Sequence, residues 1–230
     1  MIIFILVTMF VRYSSYILLF NFIYHYYAFF SWYLGDKQIQ IEYAYYKGMY
    51  AFISALIFVI YIHIMFFPKK MSEAACIPSF PPLIMLLSLN IGLFIGIYNL
   101  YVVQLYKLPN FFNYLRSTEI GLIIILISFI LIYFSVKSFN DYKEDPNPTT
   151  KSDVLITSGI FKYIRNPMYL ALTLFQFGLG ASLSFIHISL MSFVTITLLH
   201  YLIVKREEEY LEARFGIYYT KYLNRTRRWL

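Results

Sequence analysis

The chain has 230 residues, of which 60% are apolar, 21% aromatic and 13% charged, and its formal net charge is +7. Soluble domains carry roughly 25% charged residues, so this composition excludes an ordinary soluble enzyme and describes an integral membrane protein. The single cysteine, Cys76, excludes an internal disulfide framework and reads as a small loop residue, since no histidine or acid accompanies it in sequence.

In chain order, Ile2 to about Leu34 is apolar and aromatic but contains Arg12. One tilted helix fits, and so does a short membrane-surface piece followed by a span. No basic residue precedes the apolar run and no small-residue cleavage site stands out, which argues against a cleaved signal peptide. Gly35 to Lys47 is a polar connector, Gly48 to Phe67 a second span, and Pro68-Lys69-Lys70 its end. After the loop Met71 to Pro82, a third span covers about Leu83 to Leu105. It carries Gly92-x-x-x-Gly96 flanked by Asn90 and Asn99, a pattern expected to pack against another helix of the same chain. A loop with Lys107, Pro109 and Arg116 leads to a fourth span, Glu119 to Val136; Pro167 opens a fifth reaching Ile186, and His187 to Val204 is a sixth. Runs of this length cross a hydrocarbon core of about 30 Å as helices, because they lack the alternation of barrel strands. The predicted fold is therefore all-α and polytopic, with about six transmembrane helices in residues 1–136 and 137–230 and an amphipathic C-terminal cytoplasmic helix.

If the spans alternate, fourteen lysines and arginines fall on one side and four on the other, among them Lys37, Lys47, Lys107 and Arg116 on the poorer side. The positive-inside rule then places residues 152–169 and the tail in the cytoplasm. The positive charge thus has a membrane explanation, and no nucleic-acid partner is expected. On that side Asn224-Arg225-Thr226, a glycosylation pattern, stays unused.

Two polar stretches flank the last hairpin. In the tail, His200, Val204, Leu211, Phe215, Tyr218 and Tyr222 fall on one helical stripe together with Glu207. A carboxylate on an apolar face needs a hydrogen-bonding or cationic partner. It either reaches water at the interface, pairs with Arg165, or accepts hydrogen bonds from a polar ligand. Upstream, Thr157-Ser158-Gly159 makes a tight turn with free backbone groups, and Pro167 places Arg165-Asn166 at a helix N-terminus, where unpaired N–H groups favour a ligand carboxylate and Arg165 adds a bidentate grip. The plainer reading of Arg-Asn-Pro is a snorkelling anchor and a turn.

Taken in order, Thr157-Ser158-Gly159-Ile160-Phe161, Tyr163-Ile164-Arg165-Asn166-Pro167-Met168-Tyr169, a tight hairpin, Glu207-Glu208, and Leu211-x-x-x-Phe215-Gly216-x-x-Tyr219-x-x-Tyr222 resemble the C-terminal half of the isoprenylcysteine carboxyl methyltransferase family and its phospholipid N-methyltransferase relatives. The resemblance covers about Asp141 to Trp229. It implies transfer of a methyl group from S-adenosylmethionine to a lipid-like acceptor, either a prenylcysteine-type carboxylate or a phospholipid amine. The implied cofactor-binding residues are Asp153, Val154, Leu155, Ile156, Gly159, Phe161, Asn166, Pro167, Met168, Tyr169 and Glu207; the candidate catalytic residues are Arg165, Tyr169 and Glu208, and no metal is implied. An amine acceptor requires a base, for which Glu208 or Tyr169 is nearest in the motif.

Three positions depart from the family pattern. Asn166 replaces a histidine and carries no proton, Phe161 stands where an aromatic hydroxyl is common, and apolar Ile203 aligns with a substrate arginine of eukaryotic members. Two other readings compete. One is a sterol- or steroid-type membrane reductase using a nicotinamide phosphate cofactor, against which the run Glu207-Glu208-Glu209 argues. The other is a non-catalytic membrane scaffold.

Overall fold

The computed structural model describes residues 2–35, 41–68 and 73–229; Lys37, Lys69 and Lys70, used above for orientation, lie outside the described residues. Eight α-helices are found there: α1 (Ile2–Leu34), α2 (Ile41–Phe66), α3 (Pro81–Tyr98), α4 (Thr118–Asp141), α5 (Pro167–Ser182), α6 (Ile186–Leu199), α7 (Lys205–Phe215) and α8 (Ile217–Arg225). Residues 2–34 form one continuous helix, the first of the two arrangements their sequence allows. Neighbours in sequence pack in pairs, α1 on α2, α2 on α3, α4 on α5 and α5 on α6, and α3 closes the bundle against α6.

Among the described residues, four helical stretches are long and apolar enough to span: Tyr45–Phe66, Pro81–Val103, Thr118–Asp141 and Ile186–Phe215. The helices α1 and α5, expected as spans, are not among these four. The latter has 16 residues, about 24 Å at 1.5 Å per residue. The sixth span and the tail helix, expected as separate elements, are one continuous run in which the π-helical turn His200–Val204 joins α6 to α7. This run ends at Gly216, whose φ of 52° suits a residue without Cβ. That break resets the helical phase, so the expected stripe does not continue beyond it: Tyr218 is exposed and Tyr219 is buried in its place, beside Tyr222.

Helix association in lipid depends on small residues and polar contacts, since lipid tails are as apolar as leucine. Here α4 turns its large side chains outward, while Gly121, Ser128, Ser135 and Ser138 are buried. A Cβ on Gly121 would lie 2.4 Å from the Ser182 amide nitrogen and 2.6 Å from the Gly178 carbonyl oxygen, so α4 and α5 touch backbone to backbone. The Gly92-x-x-x-Gly96 face meets α6, with a Cβ at Gly92 falling 2.9 Å from the His187 carbonyl. Its flanking amides are satisfied within the chain: Asn90 accepts from the Tyr26 hydroxyl at 2.9 Å and donates to the Phe52 carbonyl at 2.9 Å, and Asn99 bonds the backbone of Tyr106. Buried Gln176 of α5 accepts from the Thr195 hydroxyl of α6 at 2.6 Å and donates to the Ile188 carbonyl at 3.3 Å.

The α4/α5 contact carries the region that follows. A Gly121→Leu substitution is expected to destabilise the fold by about 1–3 kcal/mol, the usual cost of overpacking. Thermal unfolding of the detergent-purified protein reads this as a lowered midpoint, with Gly121→Ala intermediate.

Candidate functional site

The wall of the site begins where α4 stops. Lys143 adopts a left-handed conformation (φ 57°), and the Glu144 amide donates to the Phe139 carbonyl at 3.0 Å, a six-residue closure typical of helix ends. The turn throws Glu144 back under the chain. Its carboxylate accepts the backbone N–H of Asp153 at 3.1 Å and of Val154 at 2.8 Å. Asp145 and Asn147 form successive side-chain turns within the Pro146–Pro148 stretch. Gly159, at φ 59°, presses against Ser138, whose Oγ would lie 2.6 Å from any Cβ there. Glycine at this position thus closes the loop onto α4.

Two further elements shut the loop from outside. The Tyr210 hydroxyl donates to the Glu73 carbonyl at 2.9 Å and accepts the Ser152 N–H at 3.1 Å. Lys151 pairs with Glu73 at 3.2 Å and with Asp153 at 3.4 Å, and Arg214 pairs with Asp153 at 2.8 Å. Hydrogen bonding to Glu73, together with the charge of Asp153, raises the Lys151 pKa. On the inner side, the Tyr222 hydroxyl donates to the Phe161 carbonyl at 2.7 Å. Burial pushes the phenols of Tyr219 and Tyr222 well above their ordinary range, so both stay protonated donors.

These pieces surround a cleft of about 910 Å³, counting the part open to solvent. Its apolar side includes Ile156, Phe161, Met168 and Leu211; its polar side includes Glu144, Asp145, Glu207 and Glu208. The two adjacent glutamates differ in state. Glu207 accepts one hydrogen bond, from the Tyr169 hydroxyl at 2.7 Å, and no ion pair engages it among the described residues. Glu208 is gripped twice: Arg165 donates Nε and Nη2 to Oε1 at 3.2 and 3.1 Å, and Arg228 donates Nε to Oε1 at 3.0 Å and Nη2 to Oε2 at 2.6 Å. The Glu208 carboxylate in turn raises the Arg228 pKa. The pairing of Arg165 with Glu207 weighed from sequence is therefore replaced by pairing with Glu208, one residue on.

Arg165 is further committed by Nη1, which donates to the carbonyls of Leu223 at 3.0 Å and Thr226 at 2.6 Å. Its own N–H donates to the Arg227 carbonyl at 2.9 Å, and the Asn166 amide donates to the Arg228 carbonyl at 3.2 Å. The grip expected of Arg165 is thus spent on Glu208 and on residues 223–228. Asn166 does not cap α5 with its side chain, and Pro167, Met168 and Tyr169 of its first turn line the cleft.

Eleven residues singled out from the sequence line the cleft: Val154, Leu155, Ile156, Phe161, Arg165, Asn166, Pro167, Met168, Tyr169, Glu207 and Glu208. Asp153 and Gly159 do not; the first is drawn out to Lys151 and Arg214, the second packs on Ser138. Glu144, Tyr210 and Arg228 have no role at the site in the sequence reading, and no local signal marks them. Tyr219 and Tyr222 had a signal in the Gly-x-x-Tyr-x-x-Tyr pattern that ends the resemblance.

Breaking a nearly buried ion pair from one side strands the other charge. Replacing Arg165 with Ala is expected to cost about 3 kcal/mol, and the Arg165→Ala/Glu208→Ala double variant less than the sum of its parts. A double-mutant cycle on thermal unfolding measures the coupling.

Residues 117–217 match the family model described as phospholipid methyltransferase. No curated protein and no solved structure matches the chain. The matched segment contains α4, α5, α6, α7 and the loop between α4 and α5, and so supplies most of the cleft wall. The match of residues 117–217 to that family, with the apolar helices around it, supports a membrane methyltransferase in general.

Proposed function

We propose that the protein transfers a methyl group from S-adenosylmethionine to a lipid-like acceptor, and that the cleft between the Glu144–Phe161 loop, the start of α5 and α7 binds the cofactor. The observation that carries this reading is Glu207: a carboxylate turned into a largely apolar cleft, hydrogen-bonded to Tyr169 and free of any cation among the described residues. Such a group suits ribose hydroxyls and the surroundings of a sulfonium, and it repels the extra phosphate of a nicotinamide phosphate cofactor. The residues present fit the cofactor in three parts. Glu207 accepts from the sugar, the first-turn N–H groups of α5 at Met168 and Tyr169 receive the amino-acid carboxylate, and Ile156, Phe161 and Leu211 pack on the base.

When bound, S-adenosylmethionine supplies a methyl made electrophilic by its sulfonium. The chain's own task is placement and exclusion of water. Tyr210, Glu73 and Lys151 close the outer side, and Tyr219 and Tyr222 close the inner one. The acidic lining, with Glu144 and Asp145 beside Glu207, favours a cationic phospholipid amine over a prenylcysteine-type carboxylate. Glu208, held by two guanidiniums, is suited to orienting Arg165 and α5. The pair Tyr169–Glu207 is left to receive the amine proton. The excess of Lys and Arg on the site's side supports a cytoplasmic cleft.

S-adenosylhomocysteine is expected to bind the detergent-purified protein saturably in calorimetric titration, and NADPH not to bind. Glu207→Gln should weaken the first by about 10- to 100-fold, the range for loss of a charged hydrogen-bond acceptor, with the unfolding midpoint little changed. Unaltered affinity in that variant removes Glu207 from the site, and binding of NADPH alone moves the protein to the reductases.

A further inference from the structure

The two guanidiniums on Glu208 differ in what is left over on them. The Arg165 side chain is 10% exposed, and all three of its nitrogens donate within the chain. Arg228 is 37% exposed and spends only Nε and Nη2, both on Glu208. Its Nη1 has no hydrogen-bond partner among the described residues. Two arginines against one carboxylate leave a net positive charge, and it resides on the more exposed of them.

Next to Arg228 in sequence, the Trp229 ring lies 6.3 Å from the ring of His200. The Nδ1 atom of His200 is buried and has no hydrogen-bond partner. His200 opens the π-helical turn His200–Val204, closed by the Lys205 N–H on the His200 carbonyl. In an α-helix residues five apart point about 140° away from each other; the wider π turn brings Lys205 above His200 on one side of the helix. Lys205 is exposed, its Nζ stands 4.5 Å from the Tyr201 ring, and no ion pair engages it among the described residues. The charges of Arg228 and Lys205 both act on His200, so a spare guanidinium nitrogen, a lysine without an ion pair and an orphaned imidazole nitrogen lie near one another where the apolar part of the long α6–α7 run gives way to its charged part. Lys205 stands three residues before Glu208, which lines the cleft and holds Arg228.

We propose that Arg228, Lys205 and His200 form a seat for a phosphate ester at the membrane edge of the cleft, filled by the phosphate of a phospholipid headgroup. The planar fork of arginine matches phosphate oxygens, lysine adds a compact charge, and imidazole with the proton on Nδ1 donates a third bond. A phosphate held there keeps its acyl chains along the exposed side of the span and directs the headgroup amine toward Tyr169 and Glu207. The proposal rests on the reading of the acceptor as a phospholipid amine, and it assigns to residues 205 and 228 the selection between that acceptor and an uncharged one.

The test compares two lipids in mixed micelles: dihexanoyl phosphatidylethanolamine, and a dihexanoylglycerol ether of ethanolamine that keeps the amine and lacks the phosphate. The wild-type protein is expected to prefer the phosphate-bearing lipid by about tenfold or more, in line with charge-assisted hydrogen bonds. Arg228→Gln, which also loosens the Glu208 clamp, should cost about tenfold more affinity for that lipid than for the ether, while Lys205→Gln, whose ammonium otherwise lies only against the exposed Tyr201 ring, removes about three- to fivefold for the phospholipid and none for the ether. An unchanged preference in both variants overturns the proposal. Equal loss of both lipids in Arg228→Gln, with no effect of Lys205→Gln, makes Arg228 a prop for Glu208 and overturns it too. Inorganic phosphate supplies a third arm: competition against the phospholipid alone supports the seat, and phosphate binding without any lipid preference assigns the site to a soluble anion and overturns the lipid occupant. Titration with S-adenosylhomocysteine runs alongside, so a failure of the cofactor reading shows there and leaves the lipid preference to be read independently.

Discussion

Glu208 holds the site together. Its carboxylate is nearly buried and joins Arg165, from the turn before α5, to Arg228, from the stretch after α8. Arg165 lies 43 residues before Glu208 and Arg228 lies 20 after it, and charge rather than apolar packing joins them. Charge-assisted, forked hydrogen bonds set both distance and angle, which greasy contacts at a membrane surface do not. Around this clamp, the backbone pairing of Ile164 with Arg227 and the amide of Asn166 on the Arg228 carbonyl follow as secondary fastenings. The start of α5 is thereby held at a fixed angle to α7, and the cleft is the space between them.

Next to this clamp, Glu207 shows how one residue step on a helix changes a chemical role. Both glutamates leave the continuous α6–α7 run just after its π-helical turn. The phase of the helix directs Glu208 to the arginines and Glu207 to Tyr169. One carboxylate is saturated and serves as structure; the other keeps capacity for a ligand.

Much of this arrangement was legible in the chain. The membrane class followed from composition, and Glu207 stood out because a carboxylate on an apolar stripe is costly. The order of the Gly159, Pro167, Glu207 and Gly216 punctuation carried the family resemblance that residues 117–217 bear out. What remained hidden depends on contacts between distant segments. Nothing near Glu144 says that its carboxylate caps the N–H groups of Asp153 and Val154 nine and ten residues on. Nothing in the basic tail distinguishes Arg228, which binds, from Arg227, which is exposed. The stripe extended to Tyr218 failed for a local reason, since a left-handed glycine at 216 and a π turn at 200 both shift the count of residues per turn. Helix α4 likewise runs through the boundary between residues 136 and 137 suggested by polarity, because Lys137 and Asn140 project from its last turns without ending it.

The buried face of α4 has one more consequence. Gly121, Ser128 and Ser135 recur every seven residues, a spacing that maps onto itself when the helix slides two turns along its neighbour. Smooth, repeating surfaces of this kind determine how close two helices come and leave their axial register open. In this protein the register is pinned at the two ends, by the Thr118 hydroxyl on the Ser182 carbonyl at 3.1 Å and by Gly159 against Ser138. The second of these pins is a loop residue of the cleft itself. The helix pair therefore acts as a vernier read at the site: a displacement of α4 along its axis moves the loop wall by the same distance, with little change in the packing between.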